Sequence, residues 1–356
     1  MKPNDFLKRY QKQITLPQIG KAGQQKFSES HIVIIGCGGL GSIAAVYLAA
    51  AGIGRITLID HDVPDVSNLH RQVFFSLEYT SSKVEQLHTH IKQVNPAVAV
   101  TSHQQKVTKQ NINSLISDAD VVLDCTDDLY AKYLINDACV LNNKALVYAS
   151  IHQTEGYAFT YNPDFKSAHL RNFFPQISEA VIPSCNDVGV YNILAGMFGL
   201  IQANEAMKLL LNLDDRLENR MMIYNVLNYS QQFIACNRKQ EIDVQKIWEE
   251  STYIPKTKPM ITEIEATELD DLLKKENLKV ISLLDEWEDE EPIGNATRLA
   301  LGDFTEWDYK FEEPNNYLVY CQGGSRSKLI CTKLNEKYPA VTFYTLKGGK
   351  DALQQI

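Results

Sequence analysis

The sequence predicts an α/β protein: a doubly wound, mostly parallel sheet followed by a second, smaller α/β domain. Three observations carry this. Short β-branched apolar runs alternate with helical stretches from residue 31 to about 149, the rhythm of a sheet covered on both faces. The first run ends in a glycine-rich turn that opens a helix. The 356-residue chain also has the length of two domains, and its composition shifts near residue 240.

Residues 31–36, His-Ile-Val-Ile-Ile-Gly, read as a buried parallel strand. The small and apolar residues 40–51 suit a helix packed closely on a sheet, and residues 55–60 form a second strand ending in an acid. A helix over 81–94, strands over 97–102 and 120–125, a helix over 129–142 and a strand over 145–149 continue the alternation. Strands near 155–161 and 220–227 and a long apolar helix from about 188 to 212 complete the first domain, residues 1–240. Charged residues with Pro255 and Pro259 mark 241–262 as a linker. Residues 263–356 read as helix, strand, loop, strand, helix, strand and helix.

Composition narrows the function. The chain is 44% hydrophobic and 22% charged, ordinary for a globular protein with a sizeable core. A net charge of -9 argues against general nucleic-acid binding, which needs a phosphate-neutralising patch. The N-terminal residues contain no apolar signal region, and the apolar stretch 188–201, interrupted by Asn192, is short for a membrane span. Seven cysteines without CxxC spacing point to reduced thiols in a cytoplasmic protein.

The chemistry begins at Gly36-Cys37-Gly38-Gly39-Leu40-Gly41, a G-x-G-x-x-G run set between strand and helix. Glycines let the backbone approach a phosphate, and the helix N-terminus offers it unpaired N–H donors. Asp60, ending the next strand, is placed for ribose hydroxyls. NAD, FAD and ATP sites share this pattern. Downstream, Asp60-His61-Asp62 leads into Ser67-Asn68-Leu69-His70-Arg71-Gln72 and then Lys83, donors and positive charge suited to a triphosphate. Asp127, in Asp124-Cys125-Thr126-Asp127-Asp128, lies just past a strand end, where a carboxylate can hold Mg²⁺. Each of these alone reads more readily as a solvated loop charge or a cap.

Together, GCGGLG, DHDVPDVSNLHRQ, Lys83 and DCTDD resemble the bacterial ubiquitin-activating-like adenylyltransferases of the ThiF/MoeB/HesA group. These serve molybdopterin synthase, thiamin thiazole synthesis and related pathways. The resemblance runs from about residue 9 to 234 and implies a Rossmann-like fold acting as a homodimer. It implies that Asp60 binds ribose, that Asn68, Arg71 and Lys83 hold the phosphates, and that Asp127 binds magnesium. Asp62 and Gln72, within the same runs, are counted with the nucleotide site. The family's N-terminal R-Y-x-R-Q motif sends its second arginine across the dimer to the γ-phosphate. Here Arg9-Tyr10-Gln11-Lys12-Gln13 puts Lys12 at that place, which keeps the charge and loses the planar fork. Many relatives bind zinc through two CxxC pairs. This chain has His169-Leu170-Arg171-Asn172 and Cys236-Asn237-Arg238-Lys239 instead, so no zinc is expected.

Cys185 lies in a polar loop before the long apolar helix, where a thiol can be reactive; the family resemblance implies a cysteine of thioester or persulfide chemistry there. Cys37, Cys125, Cys139 and Cys331 are assigned to packing. In the second domain a strand over 316–320 leads into Cys321-Gln322-Gly323-Gly324-Ser325-Arg326-Ser327 and a helix. Backbone N–H groups and Arg326 would stabilise a thiolate or persulfide on Cys321, and the short span between cysteine and arginine suits sulfur better than phosphate. CQGGSRS and LKGGKDAL resemble the rhodanese sulfurtransferase domain. Residues 285–287 and 293–296 depart from that family's usual pattern there, lacking its arginine and histidine.

The two resemblances imply ATP- and Mg²⁺-dependent adenylation of the C-terminal glycine of a β-grasp, ubiquitin-like sulfur carrier ending in Gly-Gly. Sulfur from a cysteine desulfurase-type donor would then form a thiocarboxylate. Adenylation of a non-protein substrate such as a tRNA base, an NAD- or FAD-dependent oxidoreductase, and a non-catalytic scaffold remain as alternatives.

Overall fold

The computed structural model describes residues 3–176, 189–236, 242–254, 261–275, 277–286, 288, 291–299, 309–312, 315–338 and 340–355. The chain divides into two compact units at Ile254 and Pro255.

The first unit opens with α1 (Pro3–Ile14) and α2 (Gly20–Glu29), then enters the sheet through β1 (His31–Ile35). The βαβ rhythm follows: α3 (Gly39–Ala51), β2 (Arg55–Ile59), α4 (Lys83–Val94), β3 (Ala99–His103), α5 (Ile112–Ile116), β4 (Val121–Asp124), α6 (Leu129–Leu141) and β5 (Ala145–His152). After β6 (Glu155–Tyr161) come α7 (Leu170–Phe173), α8 (Asn192–Leu211), β7 (Arg220–Asn225), β8 (Gln231–Ala235) and α9 (Val244–Glu250).

The sheet order is β3-β2-β1-β4-β5-β6-β7-β8. β1 to β5 run parallel, and β6, β7 and β8 join as antiparallel neighbours. β1 shows why the strands read as unbroken apolar runs. Ile32 and Ile34 enter a core shared with α3, α4 and α8, whereas Val33 and Ile35 enter a second core with α5, α6 and α7. Burial on both faces removes the alternation of a half-exposed strand. The strand order reverses between β1 and β4, which opens a crevice at their C-terminal ends.

Three sequence readings change in the first unit. The long helix starts at Asn192; Gly189–Tyr191 precede it, and Val190 bridges to Gln153 instead. The stretch read as linker contains α9, whose Val244 is buried, and Tyr253, whose hydroxyl donates to Asp137 at 2.6 Å. Residues 242–254 are therefore part of the first unit. β8, α1 and α2 add elements the periodicity did not reveal.

The second unit is a parallel sheet in the order β11-β10-β12-β13-β9. Its elements are β9 (Thr262–Ile264), α10 (Leu269–Leu273), β10 (Leu278–Ser282), β11 (Thr297–Arg298), β12 (Asn316–Tyr320), α11 (Ser325–Lys337) and β13 (Phe343–Leu346). Its first element is a short strand where a helix was expected, and its last, over 349–355, is a 3₁₀ turn.

Candidate functional site

The phosphate loop follows from steric necessity. Gly36 has φ +89, a left-handed conformation, and a Cβ there would lie 2.7 Å from the Cys125 backbone. A Cβ on Gly41 would stand 1.9 Å from the Gly36 carbonyl oxygen. The turn therefore folds tightly enough to present the N-terminus of α3 to the crevice. Asp60 fixes it from the side: its Oδ2 accepts the Cys37 N–H at 2.7 Å and its Oδ1 the Asp62 N–H at 2.9 Å. Burial, then the nearby Asp60 carboxylate, push the Cys37 thiol well above its ordinary range, so it stays a protonated packing group.

An open cleft lies over this loop. Gly36, Gly38 and Gly39 form its floor, and Asp60, Asp62, Arg71, Gln72, Lys83 and Asp127 line it. Lys83 is buried and donates to Asp62 at 2.8 Å. Arg71 donates to Asn68 Oδ1 at 2.6 Å. Asp127 is exposed, just beyond β4, and its neighbour Asp128 caps α6 by accepting the Ala131 N–H. An exposed carboxylate in a cleft lined by Arg71 and Lys83 is a hard oxygen ligand that could hold a divalent cation such as Mg²⁺.

A buried network carries the Asp127 turn. Asp124, fully buried, accepts from Thr126 N–H at 3.0 Å and from its hydroxyl at 2.7 Å. Lys132 Nζ lies 3.4 Å from both Asp124 oxygens and donates to the Ala149 carbonyl at 2.8 Å. Burial alone would lower the Lys132 pKa; the adjacent Asp124 carboxylate reverses this, and the net direction is up. Lys132 reads in the sequence as an ordinary helix charge. Its signal was its place one turn into a helix that both caps and follows the DCTDD run.

Other expected residues fall elsewhere. Lys12 is exposed on α1, outside the lining of this chain's cleft. Cys185 lies outside the described residues. His169 is buried, with Nδ1 3.4 Å from the Asn136 side-chain amide, and Cys236 donates to the Asn172 carbonyl at 3.5 Å. Beside them Arg171 grips Asp137 through Nε and Nη2 at 2.7–3.0 Å, an ion pair the sequence did not reveal. Among the described residues the one His/Cys/Asp/Glu cluster with metal-ligand spacing is Asp60, His61 and Asp62.

In the second unit Cys321 directly follows β12 and is fully buried. The Ser327 N–H at the start of α11 donates to its sulfur at 3.3 Å. Lys350 N–H and Asp351 N–H donate to the Cys321 and Gln322 carbonyls at 2.9 and 3.0 Å, so the LKGGK turn seats the sulfur loop. The Arg326 guanidinium lies 3.9 Å from Glu288 and is 41% exposed.

A doubly wound sheet whose strand-order reversal opens onto a glycine-floored, cation-lined cleft defines a nucleotide-binding α/β enzyme. The chain belongs to the ThiF family, which matches residues 10–244. It is 37% identical over 224 residues to the SAMP-activating enzyme E1 of Haloferax volcanii, covering 62% of this chain and 82% of that one. To the probable molybdopterin-synthase adenylyltransferase of Porphyra purpurea it is 31% identical over 366 aligned positions, 98% of this chain and 93% of that one. The adenylyltransferase and sulfurtransferase MOCS3 of Anopheles gambiae is 36% identical over 223 residues, 62% of this chain; the chain spans only 51% of its length. E. coli MccB solved with ATP has the same fold, with a TM-score of 0.57 at 22% identity over 66% of this chain and 74% of that one. The chain is thus an adenylyltransferase of the ThiF family. Among the described residues no helix is long and apolar enough to cross a membrane.

Proposed function

We propose that this enzyme uses ATP to adenylate the C-terminal glycine of a small β-grasp, ubiquitin-like sulfur carrier ending in Gly-Gly, and then converts it to a thiocarboxylate. The observation that carries the reading is the convergence of Arg71, Lys83 and Asp127 over the glycine floor of one cleft. The carrier's carboxylate is already ionised, so no general base is needed. Its oxygen attacks the α-phosphorus, and the bond to the bridging oxygen of pyrophosphate breaks. Arg71 and Lys83 neutralise the departing pyrophosphate, helped by Lys12 of a second protomer in a homodimer. Asp60 orients the ribose, and Asn68 and Gln72 bear on the phosphates. Magnesium held by Asp127 would add charge neutralisation at the triphosphate.

In the second step the terminal sulfur of a Cys321 persulfide, loaded by a cysteine desulfurase-type donor, attacks the acyl carbon and expels AMP. A second thiol, for which the sequence offers Cys185, then takes the Cys321 sulfur. The thiocarboxylate leaves, and a cellular dithiol reduces the disulfide formed. Fusion of a rhodanese-like unit, 263–356, to the adenylating domain favours sulfur transfer over conjugation. The names borne by two relatives, a SAMP-activating enzyme E1 and the adenylyltransferase and sulfurtransferase MOCS3, agree with activation coupled to sulfur transfer.

The test is ³²P-pyrophosphate exchange into ATP with candidate Gly-Gly carriers, in wild type and Asp127→Ala. Exchange that requires one carrier and vanishes in the variant supports the reading. No exchange with any carrier, despite ATP binding, removes it.

A further inference from the structure

We propose that His70 is a positioning residue that aims Arg71, and that the neutral imidazole is the form that does so. The turn around Val66–Asn68 brings His70 and Arg71 into one hydrogen-bonded relay. His70 Nδ1 lies 3.0 Å from the Ser67 carbonyl oxygen. A carbonyl oxygen only accepts, so Nδ1 carries the proton, and in the neutral ring Nε2 is then a bare acceptor. Arg71 Nη1 lies 3.1 Å from that Nε2 and donates to it. Its other terminal nitrogen donates to Asn68 Oδ1 at 2.6 Å.

The guanidinium is thereby held by both ends. Two of its five N–H donors are taken by His70 and Asn68, which leaves three for an anion in the cleft. A long arginine side chain loses considerable rotamer freedom when it grips a ligand, and a guanidinium already fixed has less to lose. The backbone supports the same geometry. Arg71 N–H and Gln72 N–H both donate to the Asn68 carbonyl at 3.0 Å, and Asn192 of α8 donates to the His70 carbonyl at 3.2 Å.

The charges around the turn set the direction of a pH effect. Arg71 faces the imidazole directly. Asp65 lies beneath the turn with its carboxylate occupied by Ser67, Lys83 of α4 is paired with Asp62, and among the described residues α8 contributes the neutral Asn192 amide. The doubly protonated ring offers an N–H at both nitrogens, so its Nε2 is a donor and no longer an acceptor. It then meets a donor of like charge, and Arg71 loses one of its two holds. His70 itself is not part of the cleft lining.

The proposal rests on Arg71 binding phosphate, so the experiment tests both. Binding of a non-hydrolysable ATP analogue with Mg²⁺ is measured by calorimetry at pH 8 and pH 6 for wild type, His70→Leu, His70→Gln and Arg71→Ala. His70→Leu, without an acceptor, should bind about three- to tenfold more weakly at pH 8 with an unchanged melting temperature, the worth of one modest hydrogen bond. His70→Gln, whose Oε1 replaces Nε2 without titrating, should bind within about twofold of wild type at pH 8. The extra weakening of wild type at pH 6 should be absent from it. An acid response in His70→Gln equal to wild type, or a His70→Leu that binds normally while Arg71→Ala does not, overturns the proposal. An Arg71→Ala protein that binds as wild type does overturns the reading beneath it.

Discussion

Asp60 Oδ2 accepts the main-chain N–H of Cys37 at 2.7 Å, so the acid that ends β2 also clamps the glycine loop that ends β1. One residue thus does two tasks. Its remaining lone pairs face the cleft, and its hydrogen bonds to Cys37 and Asp62 hold the floor in place.

Replacing Asp60 by asparagine tests this dual role. The amide has one acceptor oxygen where the carboxylate has two, so it can take the Cys37 or the Asp62 N–H but presents its own N–H₂ to the other. Loss of a charge-assisted hydrogen bond is worth about 1.5–3 kcal/mol. ATP-analogue affinity should fall roughly tenfold to a hundredfold while the circular dichroism spectrum is unchanged. Unaltered affinity would mean the clamp is ornamental.

Gly41→Ala should be more severe than its one methyl group suggests. The new Cβ would overlap the Gly36 carbonyl oxygen at 1.9 Å, and the neighbouring atom is backbone, which cannot rotate aside. The loop must open or the helix must shift. Soluble protein that binds nucleotide with wild-type affinity would contradict the tight-turn account. Gly196, with open space around its Cβ position, is the control: alanine there should leave binding intact.

How much of this was legible beforehand follows from what each residue contributes. The parallel strands were readable because burial on both faces leaves long apolar runs, as in Ile32–Ile35. The glycine loop was readable because only glycine fits Gly36 and Gly41. β8 was not, since all five of its residues are exposed and no face imposes alternation. α9 was hidden because it buries only Val244 within a charged stretch. The ion pairs Asp124–Lys132 and Asp137–Arg171 were invisible for a different reason. A lone charge in a helix is usually solvated, and only the fold brings a partner within reach of one that is buried.

Lys132→Met should then destabilise the first unit strongly. It leaves the Asp124 carboxylate buried with its Thr126 hydrogen bonds but no counter-charge, and removes the donor to Ala149. Breaking a buried pair from one side costs about 3–5 kcal/mol. Lys132→Arg should retain most of the stability, and the double change Asp124→Asn with Lys132→Met should recover part of the loss. Urea denaturation of the three variants decides it. A Lys132→Met protein within about 1 kcal/mol of wild type would show that water relieves the charge.

Cys331 is buried on α11, where burial and then the nearby Cys321 push its thiol up to about 12. An unfolded cysteine titrates near about 8.5. Below that value both states keep the proton and the thiol has no pH-dependent effect. Between the two values the unfolded chain releases a proton that the folded unit retains, so stability falls as pH rises, by about 1.4 kcal/mol per pH unit for one group. The full contribution is therefore present at neutral pH and is lost as pH rises toward the folded value. Cys331→Ala should be less stable at pH 8 through the lost packing, yet its stability should fall less steeply between pH 9 and pH 10.5. The difference in slope is the readout, because other buried thiols and tyrosines contribute equally to both proteins. Equal slopes would mean that Cys331 reaches solvent before the second unit unfolds.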